Sequence, residues 1–195
     1  EAEALMAAAA KCSKTGFFSK WKADWEGAAA EYEKAATSFR VAKALPRAVE
    51  AFVKASEAHA NFDSDYMAAK HLESGALILR DNLKQADRAA TLWERACTLH
   101  QEGDRLPSAV EDLVKAARAL EGADAARSAE LAQSACKLID DEDDEGKLRQ
   151  CVETYKLAVA LLLSFLRLCM YLLHLLRMYH LLLLFLLLYT LLFLL

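Results

Sequence analysis

The stretch Ala28 to Phe39, AAAEYEKAATSF, decides the fold, because it returns along the chain about every twenty residues. Copies read AVEAFVKASEAH from Ala48, AAKHLESGALIL from Ala68, AATLWERACTLH from Ala89 and AVEDLVKAARAL from Ala109. SAELAQSACKLI from Ser128 is less regular, and LRQCVETYKLAV from Leu148 is blurred. With the first residue of a unit as offset 0, small or apolar residues fall at offsets 0, 4, 7, 8 and 11. At about 3.6 residues per turn these positions share one stripe, so each unit predicts one amphipathic helix.

Offset 7 is the most restricted position: Ala35, Ala55, Gly75, Ala96, Ala116 and Ala135, separated by 20, 20, 21, 20 and 19 residues. So small a side chain leaves a gap, which large residues such as Tyr32, Phe52, Leu72, Leu92 or Leu113 fill from neighbouring helices. Replacing Ala55 or Ala96 by Leu is therefore expected to overpack a contact, and replacing Ser56 to perturb less. Gly75 costs about 1 kcal/mol relative to Ala in mid-helix, and close approach of a neighbour explains it. One helix per twenty residues, or one hairpin per forty, predicts an all-α, right-handed α-solenoid of TPR-like antiparallel helical hairpins. The usual TPR consensus, with its Trp, Leu-Gly and Tyr, is absent, so the repeat is a longer-helix relative.

The connectors are short and polar, as antiparallel neighbours require. Pro46 and Pro107 lie between units, and Gly103 and Pro107 bracket a helix stop and start, with Ser108 placed as the cap. DDEDDEGK at 140–147 reads as a solvated turn.

Composition excludes several classes. With 27% charged and 55% hydrophobic residues the 195-residue chain is able to fold, and its net charge of −4 argues against nucleic acid as a partner. Five cysteines, Cys12, Cys97, Cys136, Cys151 and Cys169, form no CxxC pair and read as cytosolic core thiols. His59 and His100 end their units and His71 lies inside one, with no HxxxH spacing or His/Cys cluster, so no metal site is expected. No phosphate loop, nucleophile elbow or carboxylate pair appears, so neither catalytic residues nor a cofactor is expected.

Four segments follow: an N-terminal helix at 1–13, an aromatic and basic loop at 14–27, the repeats at 28–160 and a Leu-rich apolar helix at 161–195. In the loop, KTGFFSKWKADWEG, the rings of Phe17, Phe18 and Trp21 beside Lys20 and Lys22 suit a bilayer interface with anionic headgroups. Trp21 and Trp25 lead directly into the first unit and also read as a staple folded back onto it. In the tail, Leu181 to Leu195 is shorter than the roughly twenty residues a bilayer core needs. Extending it back to Leu161 takes in Arg167, His174, Arg177 and His180. A tail anchor and translated low-complexity nucleic acid both remain open. The opening Glu1 and the apolar end predict a fragment. Lys34, Lys54, Arg95 and Lys115 share offset 6, away from the buried stripe, and predict a basic ridge able to attract an acidic helical bundle or serving solubility alone.

The run KTGFFSKWKADWEGAAAEYEKAATSFRVAK, continuing through AVEAFVKASEAHAN and MAAKHLESGALIL, resembles the soluble NSF attachment proteins, the gamma type best. The resemblance covers residues 1–160 and fades beyond Leu138. It implies a twisted sheet of helical hairpins capped by a C-terminal bundle, with no enzymatic activity. The implied role is that of an adaptor, peripheral on the cytosolic face of membranes. It would bind a SNARE complex, a syntaxin-type bundle, and recruit the NSF ATPase that disassembles it. By resemblance, Phe17 and Phe18 belong to a membrane-attachment loop, and Lys34, Lys54, Arg95 and Lys115 to a SNARE-contacting face. The family's C-terminal bundle and its NSF-contacting segment have no counterpart in the Leu-rich tail. A general TPR-like peptide scaffold, or a protein anchored integrally by that tail, is the alternative.

Overall fold

The computed structural model describes residues 2–13, 23–142 and 144–194, with the side chains of 150, 152 and 181–194 excepted. Among the described residues there are eight helices and no strand. They are α1 (Ala2–Cys12), α2 (Trp25–Val41), α3 (Leu45–Ala60), α4 (Asp65–Asp81), α5 (Ala86–Glu102), α6 (Leu106–Leu120), α7 (Ala125–Asp140) and α8 (Glu145–Leu194). Each packs on the next, and α8 also packs on α6. Ion pairs link alternate helices: Arg47 of α3 to Glu3 of α1 at 2.6 Å, Arg127 of α7 to Glu94 of α5 at 2.6 Å, and Lys115 of α6 to Glu73 of α4 at 3.3 Å. The odd helices thus form one layer and the even helices the other, the arrangement of an α-solenoid.

The connections turn on a recurring left-handed residue. Lys43, Asp63, Lys84 and Asp104 have φ of 57°, 54°, 55° and 53°. After three of them an N–H closes back on the carbonyl five residues earlier: Ala44 to Phe39 at 2.9 Å, Ser64 to His59 at 3.0 Å and Arg105 to His100 at 2.8 Å. This ends the helix tightly and satisfies a terminal carbonyl. Pro46 and Pro107 stand in the first turns of α3 and α6, where a missing N–H is harmless. Ser108, expected as a cap, lies inside α6, whose N-cap residue is Arg105, because Pro107 starts the helix earlier than the unit boundary suggests.

The small positions are buried as the stripe requires: Ala35, Ala55, Ala96, Ala116 and Ala135 are fully enclosed. A Cβ on Gly75 would stand 3.3 Å from Leu92 Cδ1 and 3.7 Å from Phe52 Cβ, the close approach that accounts for the glycine. Leu92 is buried, and Trp93 at offset 4 is buried more completely still. Ser56 departs from expectation. It is buried at offset 8 beside Ala55, so it is part of the stripe and not a tolerant control position.

The Leu-rich tail belongs to α8, which runs unbroken past 160. Burial along it ends early: Cys151, Ala158 and Leu161 are buried, whereas Leu166, Met170, Leu173 and Tyr179 are exposed.

Candidate functional site: two polar clusters and four paired cations

Packing of successive units brings polar groups together that are far apart in sequence. Glu33 on α2 meets His59 at the end of α3 and His71 on α4. Its Oε1 lies 2.8 Å from His59 Nε2 and 2.7 Å from His71 Nε2. The two imidazoles stack, with centroids 5.0 Å apart and planes 14° apart, and Phe52 stacks behind His71 at 6.0 Å. Burial alone would raise the Glu33 carboxyl, but the hydrogen bonds and charge of the two histidines outweigh it and hold it below its usual value. Burial pushes the His71 imidazole down, against the pull of Glu33.

The same arrangement recurs one hairpin later, deeper in the protein. Glu73 on α4 meets His100 at the end of α5 and Asp112 on α6. His100 Nε2 lies 3.3 Å from Glu73 Oε1 and 3.7 Å from Asp112 Oδ2. Two lysines close the group: Lys70 Nζ is 2.9 Å from Glu73 Oε1, and Lys115 Nζ is 3.3 Å from both Glu73 Oε2 and Asp112 Oδ1. Burial and the Glu73 charge push Asp112 up to about 7, against Lys115 and His100. Burial would raise Glu73, but its bonds to His100 and Lys70 and the charges of Lys115 and Lys70 bring it down to about 2. Of the two carboxyls, Asp112 is the one raised and Glu73 the one lowered. The nearby Cys97 thiol is pushed up to about 12 by burial first, then by Asp112 and Glu94, so it stays protonated and unreactive.

The expectation of scattered histidines gives way here. His59, His71 and Glu33, and likewise His100, Glu73 and Asp112, hold their ligand-type atoms within 4.8 Å of one another. No HxxxH spacing encodes either cluster, because its three groups come from three helices. The visible signal was the hairpin period itself, since Glu33 recurs as Glu73 after 40 residues and His59 as His100 after 41.

The four offset-6 cations do not form one line. Lys54 on α3 and Arg95 on α5 belong to the odd layer, and Lys34 on α2 and Lys115 on α6 to the even layer. Each faces a carboxylate: Lys34 with Glu31 at 2.7 Å, Lys54 with Glu50 at 3.0 Å, Arg95 with Glu57 at 3.8 Å, and Lys115 with Glu73, Glu111 and Asp112. Phe17, Phe18, Lys20, Trp21 and Lys22 lie outside the described residues. Trp25 opens α2 and packs against the core, as the staple reading expects.

This architecture coincides with a family match. Residues 1–164 match the family model described as Soluble NSF attachment protein, SNAP. The chain belongs to that family. Two proteins named Gamma-soluble NSF attachment protein are similar to it. The one from Dictyostelium discoideum is 34% identical over 166 residues, covering 84% of this chain and 49% of that protein. The one from Arabidopsis thaliana is 34% identical over 152 residues, covering 78% of this chain and 50% of that protein. The chain therefore spans about half the length of the curated relatives it matches. The matched region takes in all seven solenoid helices and the packed first part of α8, so the soluble NSF attachment protein signature and both polar clusters occupy the same hairpins.

Proposed function

We propose that this chain is a non-enzymatic adaptor in vesicle-mediated intracellular transport that binds assembled SNARE complexes and brings the NSF ATPase to them. The observation that carries the reading is the family match over residues 1–164, laid on a solenoid whose two layers offer long helical faces to a helical partner. Lys34, Lys54, Arg95 and Lys115 are proposed as contacts with the acidic bundle. They divide between the layers as Lys54 with Arg95 and Lys34 with Lys115. Their existing carboxylate partners make each contact an exchange of ion pairs, each contributing a few tenths to about 1 kcal/mol. Phe17, Phe18, Trp21, Lys20 and Lys22 are proposed to attach the solenoid to an anionic membrane surface on the cytosolic side.

Pull-down on immobilised SNARE bundles tests the reading. Binding that requires the assembled bundle and weakens with salt is the expected result, and NSF retention on the beads reports recruitment separately. Binding to isolated linear peptides alone would make the chain a general helical-repeat scaffold instead. Reversal of Lys54 with Arg95, compared with reversal of Lys34 with Lys115, identifies the engaged layer. Phe17→Ser with Phe18→Ser is expected to reduce liposome recruitment and leave soluble SNARE binding intact.

A second reading of localisation rests on α8. Within Glu153–His180 an 18-residue window reaches a mean hydropathy of 2.1 and is little buried, so the helix is long and apolar enough to cross a membrane. Carbonate extraction distinguishes the two, since an integral chain stays with the membrane and a peripheral one is released.

A further inference from the structure

The two polar clusters use the same three helix positions of consecutive hairpins, but the residues around them differ in charge. We propose that Glu33, His59 and His71 form a binding site for a borderline divalent transition metal such as Zn²⁺, held by the Glu33 carboxylate and the Nε2 atoms of both histidines. The proposal is independent of the SNARE reading.

Donor chemistry comes first. Two imidazole nitrogens and one carboxylate are a ligand set for Zn²⁺, whose ligands lie at roughly 2.0 to 2.2 Å. Tetrahedral placement at that radius spaces the ligand atoms about 3.3 Å apart. Here both Nε2 atoms already stand 2.8 and 2.7 Å from the same Glu33 oxygen, and all three ligand atoms fall within 4.8 Å of one another. A small outward adjustment makes room for the ion. The rings are held for it: they stack on each other, and Phe52 backs His71. Each ligand rides on a different helix, α2, α3 or α4, so a bound ion would staple three consecutive helices. Glu33 is 36% exposed while His59 and His71 are 14% and 12% exposed, which leaves one side open for a water as the fourth ligand.

Charge separates this cluster from its repeat. At the second cluster Lys70 and Lys115 stand against the two carboxylates and occupy the place a cation would take. One hairpin earlier the equivalents of those lysines are Ala30 and Ser74, and the equivalent of Asp112 is His71. The only hydrogen-bond partners of the Glu33 side chain among the described residues are the two imidazoles. A carboxylate whose partners are two imidazoles, with no ammonium group against it among the described residues, is able to accept a divalent ion. The second cluster is already balanced.

Cobalt titration of the full chain tests this, because Co²⁺ reports its ligands by absorption. One equivalent should bind with visible bands of nitrogen and oxygen ligation and without thiolate charge transfer, which separates the site from the five cysteines. Zn²⁺ should displace the cobalt and raise the Tm of the wild type by mass action. Glu33→Gln and His71→Asn should each weaken binding by about tenfold or more, and Asp112→Asn should leave it unchanged. Ser74→Lys retains all three ligands and brings an ammonium group to the position of Lys115. It should weaken binding as well, and it serves where a ligand variant loses its helical circular dichroism. A folded wild type that binds no cobalt overturns the proposal. So does a thiolate spectrum, or undiminished affinity in folded Glu33→Gln or Ser74→Lys.

Discussion

Glu33, His59 and His71 occupy the same repeat positions as Glu73, His100 and Asp112, yet the two groups have opposite electrostatic characters. The first is one carboxylate between two imidazoles, partly open to water. The second is a buried group in which two carboxylates, one of them protonated near neutral pH, are held by two lysines. The repeat therefore fixes where polar groups converge, and the flanking residues decide what they become. One helix serves both groups. On α4, His71 and Glu73 are two residues apart, about 200° around the axis, so they point toward opposite neighbours in the even layer, α2 and α6.

Removing a cation from the second cluster should have the largest effect. Lys115→Met strands Glu73 and Asp112 without their shared ammonium group and should cost about 3 kcal/mol in urea unfolding, somewhat less than a fully buried pair because Lys115 is partly exposed. The loss should be greater near pH 8 than near pH 6, since Asp112 is neutral at the lower pH. Equal losses at both pH values would mean that Asp112 is not the group taking the proton.

Packing around the first cluster comes next. Ala55→Leu, one turn before His59 on α3, should overpack a fully enclosed site and cost about 1 to 3 kcal/mol. Ala60→Leu, exposed at the end of the same helix, should change stability little. Similar losses at both positions would count against the register.

Asp112→Asn isolates the buried proton. The folded carboxyl is raised to about 7 from an ordinary 3.8, so the folded state binds more protons between those values and loses stability as pH rises through them. Asparagine carries no such dependence. Thermal melts from about pH 4 to pH 9 should show the variant gaining on the wild type as pH rises and levelling off above about pH 8. A constant difference across the range would remove Asp112 as the titrating group.

Gly75→Ala, on the helix that joins the clusters, should have the smallest effect. Helix propensity favours alanine by about 1 kcal/mol, while the added Cβ meets Leu92 Cδ1 at 3.3 Å. Leu92 is able to yield by a few tenths of an ångström, so the net change should stay within about 0.5 kcal/mol. A large loss would show the α4–α5 contact to be stiffer than its side chains suggest.

Much of the fold was legible in the chain because a helix writes its buried face at a fixed period. The small residues at offset 7 mark contacts, and the α2 to α7 boundaries fall within a few residues of the repeat units. Offsets alone do not give the layer. Offset 6 in successive units predicts one ridge, while consecutive helices alternate between layers, so Lys54 and Arg95 lie in one layer and Lys34 and Lys115 in the other. Ser56 was expected to tolerate Leu better than Ala55, yet its place in the stripe buries it. Ser108 follows Pro107, and the proline set the start of α6.

The sequence by itself determined an all-α repeat, its hairpin period, its close contacts and its family, because these depend on local periodicity and on runs of adjacent residues. Only the tertiary structure decided that Glu33 meets His59 and His71, and that Glu73 meets His100 and Asp112. Those groups lie 26, 38, 27 and 39 residues apart, counting from each glutamate. No short spacing encodes such a meeting. It follows from the stacking of each helix on the next, which also decides that one carboxylate keeps its charge while its neighbour is buried deeply enough to hold a proton.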